Sequence, residues 1–277
     1  MGFGAHDDLV LLGLLVAAAA LIAAAPGLRI PYPILLVLGG LGLGFVPGAP
    51  HIRLPPELVL VAFLPPLLYY AAYATSLRDL RRNVRPISLL AIGLVLATTI
   101  VVAVVAHATI DLSWASAFVL GAIVSPTDPV AATAIAQRLG VPRRIVTVIE
   151  GESLINDATA LVAYRLAVVA VVSGTFSIWH AGLAFLGNVV GGVAVGLAVG
   201  LLVAAVRRRL DDPPVETTIS LITGYLAYLP ASALGASGVV AVVTAGVVLG
   251  WMTPRLTNAE QRLKSAGAWE VIVFVLN

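Results

Sequence analysis

Long apolar stretches, separated by short polar connections, run along the whole chain. A helix needs roughly 20 apolar residues to cross the hydrocarbon core of a bilayer. Nine stretches are suitable for this, and a tenth begins near Ala268 and runs to the last residue. The nine predicted spans are residues 9–25, 33–47, 57–75, 86–106, 114–136, 145–172, 179–206, 215–234 and 238–252. The pattern therefore predicts an all-α, polytopic membrane protein with about nine to ten spans.

Basic residues are distributed unevenly among the predicted connections. The connections after spans three, five, seven and nine are basic, whereas those after spans four, six and eight contain no Lys or Arg. Because basic loops stay in the cytoplasm, we expect the N-terminus to face outward across the cell membrane, although Arg53 on an outer loop departs from the rule. The run Arg207–Arg209 is interpreted as a topology determinant that contacts lipid headgroups, not as a nucleic-acid site.

Composition agrees with a membrane protein. Hydrophobic residues make up 60% of the chain and charged residues 11%, and the mean hydropathy is +1.04. Lipid is therefore the expected solvent for most of the chain. The absence of cysteine from the sequence excludes disulfides and thiolate metal sites. Since the sequence stops inside the apolar segment A-W-E-V-I-V-F-V-L-N, we expect it to be the N-terminal part of a longer protein.

Acidic residues inside the spans are the first candidates for function. Most carboxylates, Glu216 among them, fall at predicted helix ends or in loops, where we expect them to cap helices or face solvent. The exceptions are Asp128, Glu150, Glu152, Asp157 and Glu270. A carboxylate within a span costs a few kcal/mol and usually serves an ion or proton path, the alternative being a buried ion pair or a hydrogen bond between helices.

The motif S-P-T-D-P at 125–129 predicts a break in the fifth span. Pro126 and Pro129 remove backbone donors and clash with the preceding turn, so a continuous helix is not expected there. Broken helices at membrane depth are tolerated where they line a cavity, and in secondary transporters their free carbonyls coordinate the coupling ion. Asp128 and the carbonyl and hydroxyl of Thr127 are thus predicted ligands.

The motif E-G-E-S-L-I-N-D at 150–157 predicts a polar stripe on the sixth span. Helical spacing places Glu152 over Asn156 and Ser153 over Asp157. All four side chains offer oxygen, which suits an alkali cation better than zinc or copper. If Asp128 faces Asp157, two carboxylates in one dry site cannot both stay ionised at low cost. The pattern therefore predicts a shared site at which a proton and a cation compete.

These motifs resemble those of bacterial sodium/proton exchangers of the monovalent cation:proton antiporter superfamily. Supporting segments are F-L-P-P-L-L-Y at 63–69, R-D-L-R-R-N at 78–83 and W-E-V-I-V-F-V-L-N at 269–277. The resemblance implies a thirteen-helix antiporter that acts as a homodimer in the cytoplasmic membrane for pH and sodium homeostasis. It also implies that residues 1–85 form scaffold and dimerisation helices, 86–173 the first half of the ion-binding core, and 174–277 connecting scaffold helices.

The resemblance also implies roles for single residues. Asp157 would be the principal sodium and proton carboxylate, with Asp128, Ser153 and Thr127 completing the ligand shell. Glu152 and Asn156 would hold the geometry, and Asn156 marks the pattern associated with electroneutral exchange. No cofactor is implied beyond the transported sodium and proton. Arg165, eight residues beyond Asp157, either neutralises a core acid or extends to the membrane interface.

Other functions remain open at this stage. A potassium/proton exchanger of the same fold would use the same ligand types. An ion channel would lack a steep dependence of flux on the pH gradient. An intramembrane aspartyl protease also has two membrane aspartates, but neither Asp128 nor Asp157 lies in a G-x-G-D signature. Gly192, Gly196 and Gly200 predict close helix packing within one protomer, the alternative being packing between protomers of a dimer. His107 is expected to be a satisfied interfacial histidine, the alternative being a pH sensor.

Overall fold

A computed structural model describes residues 5–28, 32–45, 55–127, 132, 135–136, 139–174, 178–210 and 212–276. All regular secondary structure in this described part is helical. The chain divides into two compact units, residues 1–56 and residues 57–276. In the first unit, α1 (Ala5–Leu28) packs on α2 (Tyr32–Gly44), with the side chain of Leu21 against Gly39. The first and last residues of these two helices differ from the boundaries of the first two predicted spans by at most four residues.

The second unit holds the remaining helices. In chain order they are α3 (Pro56–Ala62), α4 (Leu64–Ala74), α5 (Leu77–Arg82), α6 (Val84–Ser88), a π-helical segment (Leu89–Leu94), α7 (Val95–Ile110), α8 (Trp114–Val124), α9 (Arg143–Ser173), α10 (Ile178–Arg207), α11 (Pro213–Ala233), α12 (Gly238–Leu256) and α13 (Ala259–Leu276). Four stretches of the described chain are long and apolar enough to cross a membrane: Val84–Ile110, Arg143–Ser173, Gly182–Arg207 and Gly238–Leu256. These stretches coincide with predicted spans four, six, seven and nine. The full number of spans and the domain limits at residues 85 and 173 stay predictions.

Two predicted elements differ from the structure. The third span is not one helix but two, α3 and α4, which meet at Phe63. Pro65 and Pro66 lie in the first turn of α4, where a missing N–H leaves no intrahelical bond unmade. The helix of the tenth predicted span, α13, begins at Ala259, well before the predicted start near Ala268, so that prediction was wrong.

A capping box explains the early start of α13. The Asn258 side-chain oxygen accepts from the Gln261 backbone N–H at 2.9 Å, and the Gln261 side-chain oxygen accepts from the Asn258 N–H at 2.9 Å. This reciprocal pairing satisfies two backbone donors at a helix start. Hydropathy marks only the apolar part of a helix, so it does not register this polar first turn.

The main core of the second unit lies among α4 and α10 to α13. Tyr69, Val242, Leu249 and Trp269 are fully buried there. α10 and α12 approach so closely at Gly192 that a side-chain carbon added there would lie only 2.7 Å from the Ser237 carbonyl oxygen. Gly196 likewise faces α12, at Thr244. The glycine repeat thus packs within the protomer, as predicted.

A smaller core between α7 and α8 positions the candidate site. Ala103 and Ala106 pack against Ala117 and bring the two helices together. At the far end of the pair, His107 Nδ1 lies 2.7 Å from the Leu112 carbonyl oxygen and its ring stacks on Trp114. The histidine is therefore satisfied, as expected. α8 also packs along α9, which places its C-terminal end beside the middle of that helix.

Candidate functional site

Helix α8 ends at Val124, where the motif S-P-T-D-P begins. Pro126 has no N–H to donate to the Ala122 carbonyl, and the Ser125 hydroxyl donates to that carbonyl instead, at 3.2 Å. Pro126 and Thr127 have no regular secondary structure. Asp128 and Pro129 lie outside the described residues, so the proline-broken helix stays a prediction beyond Thr127.

The polar stripe on α9 is present and faces inward. Glu152, Ser153 and Asn156 are buried, with relative exposures of 8%, 5% and 0%. Asn156 Nδ2 donates to Glu152 Oε1 at 2.7 Å, which confirms the predicted pairing of these residues one turn apart. Asp157 is half-buried and lies one turn beyond Ser153. The stripe therefore presents hydroxyl, amide and carboxylate oxygens in an otherwise apolar helix.

Thr127 joins the end of the first motif to this stripe. The Ser153 hydroxyl donates to the Thr127 carbonyl oxygen at 3.1 Å. The Thr127 hydroxyl donates to Glu152 Oε1 at 3.1 Å and accepts from Asn156 Nδ2 at 3.0 Å. Glu152 therefore accepts hydrogen bonds from both the Thr127 hydroxyl and the Asn156 amide. The three α9 residues thus hold the non-helical residue Thr127 in one place.

One oxygen at this junction has no partner in the described part of the chain. Asn156 Oδ1 is fully buried and accepts no hydrogen bond there. Buried polar atoms in proteins are nearly always satisfied, so such an atom needs a particular explanation. Together with the Thr127 carbonyl and the Ser153 hydroxyl, it adds an acceptor to the oxygen atoms that the residues of this junction carry. This set of oxygen atoms suits a hard cation.

Two other predicted site residues that the structure describes, Pro126 and Arg165, are not part of this hydrogen-bonded junction. Pro126 is half-buried beside it, and Arg165 is exposed two turns beyond Asp157. Arg165 forms no salt bridge with any described residue, which leaves both of its alternative roles open. Glu150 and Glu270 are exposed. Across the described ranges, no three His, Cys, Asp or Glu side chains gather in a metal-binding group.

Sequence reasoning missed a buried ion pair between α10 and α11. Arg207, the last residue of α10, pairs with Glu216 in the first turn of α11 at 2.5 Å, and the two side chains are 2% and 6% exposed. The expectation that Glu216 caps a helix or faces solvent was therefore wrong, as was the expectation that Arg207 contacts lipid headgroups. Arg208 and Arg209 are exposed. The signal available in the sequence was an arginine closing one apolar span and a glutamate opening the next.

Comparison with known proteins gives consistent matches. The sequence model of the family described as "Sodium/hydrogen exchanger, transmembrane" matches residues 13–276. An uncharacterized Na⁺/H⁺ exchanger of Mycobacterium tuberculosis is 40% identical over 279 residues, covering 98% of this chain and 51% of the relative. A sodium, potassium, lithium and rubidium/H⁺ antiporter of Bacillus pumilus is 37% identical over 256 residues, covering 90% of this chain and 38% of the relative. The chain thus spans about half or less of these relatives.

A solved structure shares the fold. The sodium proton antiporter MjNhaP1 of Methanocaldococcus jannaschii superposes with a TM-score of 0.76 at 21% sequence identity, covering 99% of this chain and 68% of that one. At this identity the likeness establishes the fold alone.

Proposed function

The chain belongs to the family of transmembrane sodium/hydrogen exchangers, and from that premise we propose that the full-length protein exchanges sodium ions for protons. It is a multi-pass membrane protein. The exchange is proposed to cross the cytoplasmic membrane, with the N-terminus outside, and to serve pH and sodium homeostasis. It requires no cofactor and is secondary transport rather than enzyme catalysis.

The hydrogen bond between Ser153 and Thr127 is the main observation that supports this proposal. This 3.1 Å bond brings the carbonyl of the non-helical residue Thr127, three residues past the end of α8, against the polar stripe of α9, one turn from Asp157. A backbone carbonyl outside a helix, a serine hydroxyl and a carboxylate together form a ligand set suited to a hard cation. Irregular backbone next to a continuous helix is also the arrangement that secondary transporters use for coupling ions.

Competition at one site would produce exchange. In this mechanism Asp157, together with Asp128 on the segment that follows Thr127, binds sodium when ionised and releases it when protonated. Glu152 and Asn156 hold Thr127 and so maintain the ligand geometry, as their hydrogen bonds of 3.1 and 3.0 Å to its hydroxyl indicate. The neutral amide of Asn156 adds no further charge to these carboxylates, which favours electroneutral exchange. A homodimer built on the scaffold helices of residues 1–85, with lipid around it, is part of the same proposal.

Potassium is the second candidate cation. The Bacillus relative is named for exchange of sodium, potassium, lithium and rubidium, and oxygen ligands of the types found here accept all of these ions. Ion preference depends on the distances among ligands, including Asp128.

Reconstitution of the full-length protein tests the function. Proteoliposomes with an imposed pH gradient and a pH-sensitive dye inside should lose the gradient when sodium is added, and the rates with lithium and potassium rank the cations. Exchange should depend steeply on pH, because proton and cation compete. Cation flux without proton countermovement would contradict exchange and indicate a channel.

Ser153→Ala should weaken sodium binding more than proton binding. The substitution removes one oxygen ligand, and an interaction with a charged group contributes about 1.5–3 kcal/mol, so the apparent sodium affinity should fall roughly tenfold or more. The apparent proton affinity should change little, because Asp157 is retained. Dye-monitored exchange at several sodium concentrations and pH values measures both. Ser173→Ala is the matched control, since Ser173 is an exposed serine on the same helix whose hydroxyl bonds the Val169 carbonyl at 2.7 Å. Equal loss of both affinities in Ser153→Ala would argue against ligation.

A further inference from the structure

A large cavity lies far along the chain from the α8–α9 junction, between α5 and the end of α12. Its volume is about 670 Å³. One wall is formed by α5, with Arg78, Arg81 and Arg82, and the other by Trp251 and Pro254 of α12. We call this cavity the α5 groove. The proposed exchange mechanism makes no use of it.

The α5 groove carries unbalanced positive charge. Three arginines line it against one carboxylate, Asp79. All three are exposed, and the salt bridges found among the described residues are Arg207–Glu216 and Lys264–Glu260, neither of which involves them. An anion is the complementary ligand, and the guanidinium fork matches phosphate oxygens in bidentate geometry.

A second cavity extends the positive field on the other side of α5. It has a volume of about 470 Å³, shares Asp79 and Arg82 with the α5 groove, and adds Arg143 and Arg144 at the start of α9. Arg144 Nε donates to Asn83 Oδ1 at 3.1 Å, which fixes this guanidinium beside α5. The basic surface is therefore continuous around the short helix.

The wall opposite the arginines indicates what kind of anion fits. Trp251 is 56% exposed and lies near the end of α12, one of the stretches long and apolar enough to cross a membrane. The Arg255 guanidinium lies 5.4 Å from the centroid of its ring. Exposed tryptophan at the end of a span is typical of the headgroup region of a membrane. The ligand should thus combine a phosphate with an apolar part that continues along α12.

We propose that the α5 groove binds the phosphate of an anionic phospholipid, held by Arg78, Arg81 and Arg82, with its apolar part against Trp251. The basic connections predict that this end of the fold faces the cytoplasm, where anionic lipids attract clustered basic residues. The binding is a property of the groove and does not depend on which cation the protein transports.

Lipid titration of the purified, delipidated full-length protein tests the site. Native mass spectrometry with phosphatidylglycerol should show tight binding to the wild type. Affinity should fall roughly thirtyfold in Arg78→Gln/Arg82→Gln, because two arginines near the phosphate are lost. The matched control is Arg208→Gln/Arg209→Gln, which removes two exposed arginines outside the groove and should lower the affinity by less than about threefold. Equal losses in the two variants would overturn the proposal.

Further arms separate the alternatives. Arg78→Lys/Arg82→Lys keeps the positive charge but loses the bidentate guanidinium groups, so this variant should bind phosphatidylglycerol more weakly than the wild type and more tightly than the glutamine variant. An affinity unchanged from the wild type would refute guanidinium recognition. Phosphatidylcholine should bind weakly, and equal binding would refute selectivity for anionic lipid. Inorganic phosphate should not displace the lipid, whereas full displacement would identify a soluble phosphate as the occupant. Brominated phosphatidylglycerol should quench tryptophan fluorescence more than brominated phosphatidylcholine does, and Trp251→Phe should abolish that difference.

Discussion

Asp157→Asn is expected to abolish sodium-dependent proton movement by the full-length protein in proteoliposomes. Asparagine has nearly the same shape as aspartate, but its side-chain amide neither carries a negative charge nor takes up a proton in the pH range of the exchange assay. A unit charge pair at about 4 Å interacts by roughly 4 kcal/mol at an effective dielectric constant near 20, so sodium binding should weaken by a factor on the order of a thousand. Dye-monitored exchange should therefore fall to the level of protein-free vesicles.

A matched substitution separates this effect from a general loss of carboxylate. Glu260→Gln makes the same chemical change at an exposed side chain that pairs with Lys264 one turn along α13, and its exchange rate should equal that of the wild type. Both variants should elute as folded protein and retain the wild-type thermal midpoint. Wild-type exchange in Asp157→Asn would remove the central assignment.

Breaking the Arg207–Glu216 pair should produce the largest loss of stability. Glu216→Ala leaves a guanidinium that is 2% exposed without its carboxylate, and removal of one partner from a buried ion pair costs about 3–5 kcal/mol. Arg207 Nη1 is already buried without a hydrogen-bond partner among the described residues, so little is available to compensate. The free energy of unfolding, measured with denaturant in detergent micelles, should fall by this amount.

Replacing both partners distinguishes the pair from packing alone. Arg207→Met combined with Glu216→Leu removes both charges while keeping apolar volume, and its stability should return close to the wild type. Lys264→Ala breaks the exposed pair with Glu260, in which the side chains are 59% and 73% exposed, and should cause no measurable change because solvent screens that pair. A Glu216→Ala protein as stable as Lys264→Ala would show that the pair is not desolvated in the full-length protein.

Local chemistry made much of the helical structure predictable. Hydropathy placed the stretches Val84–Ile110 and Gly238–Leu256 on predicted spans, because the preference of a side chain for lipid is a property of each residue. The end of α8 followed from Pro126, which cannot donate its missing N–H. Helical spacing likewise predicted the Glu152–Asn156 pair, which the structure confirms at 2.7 Å.

Two helix starts were predicted wrongly although the residues around them carry local signals. The capping box between Asn258 and Gln261 is visible as a three-residue spacing and starts α13 at Ala259. The consecutive prolines Pro65 and Pro66 likewise indicated that α4 begins there as a separate helix. In both cases a polar or proline signal at a helix start was outweighed by the continuous apolar pattern.

The sequence alone determined the helical class, the end of α8 and the polar stripe of α9, since each depends on residues within a few positions of one another, and the order of its motifs along the chain indicated the family. Only the tertiary structure decided which distant groups meet. Thr127 bonds to Ser153 across 26 positions, and Arg207 is buried against Glu216 while Arg208 and Arg209 next to it are exposed. The physical reason is that these contacts depend on how helices cross and on which face each one buries, whereas local hydropathy and spacing describe one helix at a time.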